Sequence, residues 1–298
     1  MHKQENWKER AIVALIKISG YSAILFVGLI LFFLLRSGIA AVAEILPSNL
    51  LSTRWYPIED YYGLLPLIFG SIVVTIGATV IAVPIGVGTA IFIAEIAPDW
   101  ARNALKPLVE VLGGVPSVVL GFLGILFFSN FIRQALLLPT GLTAFTGALL
   151  LAIVSIPPIV SISEDALDAV PQSYRDASLA LGATQWQTIW KVTLPAARSG
   201  VLTAVMLGIG RTIGETMVVL MVTGNAPVMP GGIGFLFTPV RTMTATIAAE
   251  MGEVASGSVH YHALFFIGIV LFVISLGINL IASAFIFRQR KRSERILS

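Results

Sequence analysis

The sequence contains no cysteine, so disulfides, thiolate metal sites and cysteine nucleophiles are excluded. Charge is scarce too: charged residues make up 12% of the 298, hydrophobic ones 56%, and the mean hydropathy is +0.91. An ordinary soluble domain carries about 25% charged residues. The basic residues sit beside apolar runs rather than in a stripe, and the net charge is only +3, which argues against nucleic-acid binding. There is no Gly-x-x-x-x-Gly-Lys-Ser/Thr loop to cradle a nucleotide's phosphates. Histidine is limited to three residues, and the pair His260 and His262 falls short of the four ligands, or three plus water, that zinc needs.

What the chain has is long apolar runs. Burying them in water would need a larger core than this length can fold around, so the bilayer must act as solvent. A spanning helix needs about 20 predominantly apolar residues. Six stretches qualify: Ile12–Leu35, Leu67–Ala94, Leu108–Phe128, Ala144–Ile162, Val201–Val222 and Leu264–Phe287. Lys17, near the start of the first, can snorkel to the interface. The basic head, apolar run and Ala41-Val42-Ala43 imitate a secretion signal. The run is about twice a signal core's length and Arg36 follows it, which predicts a retained anchor.

Several spans carry helix breakers. Pro84, Gly86 and Gly88 interrupt the second, Gly113, Gly114 and Pro116 the third, and Pro157 and Pro158 the fourth. Breakers free backbone groups that hydrocarbon cannot satisfy, so these segments are expected to face other helices or a wet cavity.

Orientation follows from the placement of Lys and Arg. With the amino terminus in the cytoplasm, Arg36, Arg54, Arg133 and Arg241 fall outside and Lys17 and Arg211 in the membrane; all others, Lys3 and the run from Arg288 to Arg295 among them, fall inside. Both termini are therefore expected in the cytoplasm, with an amino-terminal unit 1–66, a core 67–287 and a basic tail 288–298. The long outer loops are then Arg36–Pro66 and Gly224–Tyr261. The second is turn-rich through Pro227, Pro230, Gly231, Gly232 and Gly234, then reads as a short or re-entrant helix over Thr242–Glu253. Glu250 and Glu253 read as a solvated face of it. Tyr261 fits an interfacial aromatic. Glu44, Glu59 and Asp60 suggest nothing specific.

The loop Ser163–Arg198 is too apolar for a linker and too polar to insert. It predicts one helix over Gln172–Leu181, closed by Gly182, with Tyr174, Ala177 and Leu181 on one face. A second helix opens on Thr184 with Gln187 as capping box and ends before Pro195. Asp176-Ala177-Ser178, three residues, Gly182, nine residues, then Val192-Thr193-Leu194-Pro195 resembles the EAA loop of type I ABC-importer permeases. Asp176 stands for the family's Glu, Ser178 for its second Ala and Val192 for its Ile. The resemblance implies an all-α membrane fold of six transmembrane helices with cytoplasmic coupling helices. It implies that Asp176, Ala177, Ser178, Gly182, Leu194 and Pro195 couple the chain to a separate ATPase. ATP and magnesium would then bind on that partner, and this chain would hold no cofactor or metal and catalyse no reaction.

In the fifth span Arg211 and Glu215 are four residues apart, which on a helix puts them on one face. Gly210 and Gly214 form a small-xxx-small pair suited to close helix packing. An ionised Arg at mid-membrane costs about 2.5–3.5 kcal/mol on insertion scales, so it should face the protein interior with Glu215 as partner. Its planar fork also suits a tetrahedral oxyanion such as phosphate or sulfate. A substrate role, with Glu215 competing so that the anion is not trapped, and a structural ion pair both remain open at this stage.

Gly210-Arg211-Thr212-Ile213-Gly214-Glu215-Thr216, with the run Met217–Val222, resembles the fifth helix of the PstC-type permeases of phosphate-specific ABC importers. So do Gly113–Ser117 and Ile247–Glu253. The resemblance implies a substrate pathway through Arg211, Thr212, Glu215 and Thr216, in a bacterial or archaeal inner membrane. It implies as partners a PstA-like second permease, a PstB-like ATPase dimer and a PstS-like phosphate-binding protein. Alternatives are a permease for molybdate, tungstate or sulfate, the sister PstA type, a secondary transporter or channel, and an anchored sensor.

Overall fold

A chain in hydrocarbon must satisfy every backbone N–H and C=O within its own helices, and the apolar runs accordingly fold as helices. The computed structural model describes residues 7–229 and 231–297; Lys3 and Pro230 lie outside them. Among the described residues, six helical segments are long and apolar enough to cross a membrane: Arg10–Glu44, Leu65–Ile96, Ser117–Ala135, Ala144–Asp168, Gln185–Gly214 and Val259–Ile281.

Helix α1 (Trp7–Glu44) runs well past the expected end at Leu35, through Arg36 and the Ala41–Ala43 segment. Ala41 is buried in a cluster with Leu264 and Ile267 of α13 (Val259–Leu297), along which α1 packs. Turn α2 (Pro47–Leu50) and a hairpin of β1 (Trp55–Tyr56) and β2 (Tyr61–Tyr62), paired Trp55 to Tyr62, lead into α3 (Leu65–Ile91).

The expected third span, Leu108–Phe128, is corrected by the structure. A separate helix, α4 (Asp99–Gly114), ends where Val115 and Pro116 turn to extended backbone, and the apolar segment starts at Ser117. It comprises α5 (Ser117–Leu123), a wide π-type turn and α6 (Asn130–Ala135). Gly113, Gly114 and Pro116 therefore separate two helices instead of interrupting one. The residue before a proline is pushed out of the helical region, which ends α4 there.

Pro84 in α3 and Pro157 and Pro158 in α7 (Ala144–Asp168) leave their helices continuous, contrary to the expected interruptions. These two helices form the centre of the fold, with Val74, Ala78 and Ala82 against Ala148, Leu151 and Ala152. Small side chains let the backbones approach, the chief source of helix association where lipid is as apolar as the core.

After α7 come α8 (Gln172–Ala180) and α9 (Gln185–Thr188), then α10 (Leu194–Gly214), α11 (Met217–Val222) and α12 (Met243–Glu250). The expected stop before Pro195 is absent. A π-type turn, Ile189–Thr193, carries α9 straight into α10. The wider turn gives the proline ring room against the preceding carbonyls. The α8–α9 hairpin lies at one end of the bundle, and the β-hairpin with the carboxy end of α12 at the other.

Candidate functional site

The fifth span stops at Gly214. Glu215 has extended backbone (φ −70°, ψ 129°), and α11 starts afresh two residues later. The expected continuous helix over Val201–Val222 is thus broken, and the four-residue spacing no longer places Arg211 and Glu215 on one face. Arg211 is exposed on the flank of this chain and forms no ion pair among the described residues. Glu215 turns to its own backbone: Oε1 accepts from the N–H groups of Thr216 and Met217, both at 3.1 Å. The structural ion pair is overturned, because the carboxylate satisfies the orphan donors of the new helix start.

The glycine pair is corrected as well. A Cβ on Gly214 would meet nothing, and one on Gly210 would lie 4.0 Å from Asn279. The close approach is at Gly208, where a Cβ would come within 2.7 Å of Ile159 Cδ1 on α7. One turn further, buried Thr212 shares a 2.6 Å hydrogen bond with Ser155 and donates to the Gly208 carbonyl. Thr216 donates to the Gly214 carbonyl, and the Thr244 hydroxyl to that of Glu215 at 3.2 Å.

A small cavity with both polar and apolar walls, Val74, Leu151, Ile213 and Val219 among the latter, lies beside the break. Ser71 and Thr75 of α3, Thr212, Glu215, Thr242 and Thr244 line about 10 Å³ of space, no more than one water requires. Of the four expected pathway residues, the cavity unites Thr212 and Glu215. Arg211 and Thr216 lie outside its lining.

At the α8–α9 end the expected geometry is present. Leu181 caps α8, Gly182 takes φ +82°, and its N–H and that of Ala183 return to the Leu179 and Ser178 carbonyls. Glycine holds this left-handed turn without the Cβ penalty. Thr184 and Gln187 form the reciprocal capping box. Tyr174, Ala177 and Leu181 line one groove of about 490 Å³ with Gln187, Lys191 and Val192, and Leu181 is 89% exposed. Asp176 is exposed and accepts from Gln172, while Ser178 bonds Thr188 at 2.9 Å and so ties the two arms together. Leu194 packs on the apolar cluster beneath, and Pro195 sits in the first turn of α10.

The mounting of this hairpin was not foreseen from spacing. Arg175 of α8 pairs with Glu95 at 2.6 Å, and its guanidinium also donates to the Val170 and Leu167 carbonyls at 2.6 and 2.9 Å. Gln185 donates to the Glu95 carbonyl. Glu95 lies in the π-type turn Phe92–Ile96 that ends the second span, so the hairpin, the second span and α7 meet at one ion pair. An acid at the end of an apolar run was the available signal. Beside it α4 is clamped to α7. Arg102 pairs with Asp168, and Lys106 lies 3.2 Å from Glu164, which is 1% exposed. The hydrogen bond to Glu164 raises the Lys106 pKa above its ordinary 10.5, so this clamp is complete at neutral pH and loosens only as pH rises past that raised value.

At the opposite end Glu250 overturns its reading as a solvated charge. Its carboxylate lies 2.8 Å from Arg241 Nη2 and 2.8 Å from His260 Nε2, and accepts from Trp55 Nε1 at 3.2 Å. The helix turns it inward, onto partners that lie 195 and 9 residues before it and 10 after it. Glu253 is exposed, as expected. Glu44 meets His262 at 2.8 Å, joining the end of α1 to α13. Burial, with Asp60 alongside, pushes the Tyr62 phenol above its usual 10.0. No group of three or more His, Cys, Asp or Glu able to hold a metal occurs among the described residues.

Residues 82–293 match the family described as the binding-protein-dependent transport system inner membrane component. Among curated proteins, the chain is 44% identical over 228 residues to a probable ABC transporter permease, YqgH of Bacillus subtilis, covering 76% of this chain and 73% of that one. It is 35% identical over 260 residues to the phosphate transport system permease protein PstC of Pasteurella multocida, covering 81% and 80%. Among solved structures it superposes on a bacterial alginate ABC transporter in complex with its periplasmic protein (TM-score 0.64, 14% identity, 94% and 96% covered) and on the inward-facing MetNI methionine transporter (0.61, 18%, 79% and 99%).

Proposed function

Because the chain belongs to the family of binding-protein-dependent transport system inner membrane components, with the type I ABC-importer permease fold, we propose that it is the permease subunit that passes inorganic phosphate inward, driven by ATP hydrolysis on a partner. The Lys and Arg bias sets both termini and the α8–α9 hairpin in the cytoplasm, and the β-hairpin end outside. The membrane is then the bacterial or archaeal inner membrane.

The observation that carries the reading is Arg211. A guanidinium exposed on the flank of a membrane-crossing helix, with no ion pair among the described residues, is too costly to leave facing lipid. It needs an aqueous cavity at a subunit boundary, where a second, PstA-like permease closes the other side. There the fork offers an oxyanion paired hydrogen bonds. Thr212, Glu215 and Thr216 belong to the same pathway, the first two as walls of the small cavity.

The α8–α9 groove supplies the contact for a PstB-like ATPase dimer. Asp176, Ala177 and Gly182 form its exposed edge, Ser178 braces it, and Leu194 and Pro195 join it to the span. ATP and magnesium belong to that dimer, and a PstS-like protein delivers phosphate from outside.

The test is ATP-dependent uptake of labelled phosphate by vesicles carrying the assembled importer. Arg211→Gln should abolish uptake while the subunits still co-purify; transport at the wild-type rate would refute the anion role. Uptake of labelled sulfate or molybdate, with none of labelled phosphate, would reassign the substrate. Uptake persisting without ATP would remove the importer reading altogether.

A further inference from the structure

The cavity beside Glu215 is closed on its outer side by α12, and α12 is held at three points. The segment entering it lies on α3, where a Cβ on Gly70 would overlap the Arg241 carbonyl and Met243 N–H donates to Ser71 Oγ at 2.9 Å. Its first turn reaches the helix break, through the Thr244 hydroxyl on the Glu215 carbonyl. Its last residue is Glu250.

A carboxylate at a helix carboxy terminus opposes the helix dipole, so its placement there needs compensation. Three donors from three separate segments converge on it: Arg241 before α12, His260 on α13 and Trp55 on β1. Trp55 is 2% exposed and stacks edge-on against Tyr62 and His260, with ring centroids 5.9 and 6.1 Å away. The His260 and Trp55 contacts join α12 to elements that do not line the cavity.

We infer that Glu250 is a positioning residue for transport: it pins α12 as the outer wall of the cavity, and admitting an anion requires its contacts to let go. A space of about 10 Å³ fits at most one water, so α12 must shift before a larger solute enters. The inference rests on the importer reading for its direction, outside to inside, and on geometry alone for the pin.

The absence of cysteine makes the test direct. Thr246 is fully buried in α12, with its hydroxyl spent inside the helix on the Thr242 carbonyl. A Thr246→Cys reporter in the assembled importer, in right-side-out vesicles, is labelled with a membrane-impermeant maleimide. A Thr146→Cys chain, its position fully buried in the first turn of α7, reports on general loosening in the same vesicles. Losing a hydrogen bond to a charged group is worth about a tenfold shift in an equilibrium, so Glu250→Gln should speed Thr246→Cys labelling by about that factor. Glu250→Asp should restore slow labelling in part, and Thr146→Cys should not change. If Glu250→Gln fails to assemble, Trp55→Phe removes one such bond to the carboxylate and should raise labelling about tenfold by the same reasoning. Unchanged labelling in the assembled variants, or acceleration at Thr146→Cys as well, overturns the pin. Labelling needs no substrate, so this outcome is separate from the phosphate reading, which fails if wild-type vesicles show no ATP-dependent phosphate uptake.

Discussion

Glu215 changes role between sequence and structure. Spacing made it the partner of Arg211, yet its carboxylate closes the start of α11. Nothing in Gly214-Glu215-Thr216 announces a helix end, since no proline is present and glycine recurs through the span. The amide oxygen of Gln accepts the same two N–H bonds, so Glu215→Gln should leave assembly unchanged and slow phosphate uptake less than Arg211→Gln does. Glu215→Ala loses both acceptors and should cost about 1 kcal/mol, the usual worth of a helix cap, read as a lower melting temperature of the purified complex. Glu250 was misread for a related reason. Its partners lie 195 residues back and 10 ahead, distances over which sequence pattern carries no information.

At the scale of elements, the hairpin was the most legible part. Gly182, Thr184 and Gln187 each act locally, through a left-handed turn and a capping box, so their spacing alone determined the outcome. How the hairpin is fixed to the bundle was not legible, because Arg175 and Glu95 are 80 residues apart. Arg175→Ala leaves a largely buried carboxylate unpaired, a loss of about 3–5 kcal/mol when burial is complete and less here, where Arg175 keeps 13% exposure. Amide exchange over 172–188 should rise sharply, and ATP hydrolysis should lose its coupling to uptake. The third span was misplaced because α4 is apolar enough on one face to blend with the run beyond it; Trp100, Leu108 and Val111 are all exposed. Helix packing gives a cleaner forecast. Gly208→Val drives a branched side chain into Ile159 and should destabilise by about 1–3 kcal/mol, detected as a lower melting temperature, whereas Gly214→Ala should be tolerated.

For the whole molecule, the count of six spans was readable because hydrocarbon thickness sets a length that composition reveals directly. Which flanks face lipid and which face protein was not, since both are apolar. On the importer reading, the exposed Arg211 and the exposed groove beneath Tyr174 and Leu181 are two surfaces expected to face protein. Purification of the intact assembly should therefore bring down a second permease and an ATPase, and Gly182→Pro should release the ATPase while sparing the second permease.

The π-type turn at Ile189–Thr193 carries the hairpin's second arm into the fifth span without a break in the helix. From Gln185 to Gly214 the chain forms one rod of 30 residues. At 1.5 Å per residue that is a crank of about 45 Å, so each degree of tilt at its cytoplasmic handle swings the Gly214 tip by roughly 0.8 Å. A rotation of a few degrees imposed by a closing motor would displace the ends of the small cavity by the width of a small ion, with no need for any bend along the way.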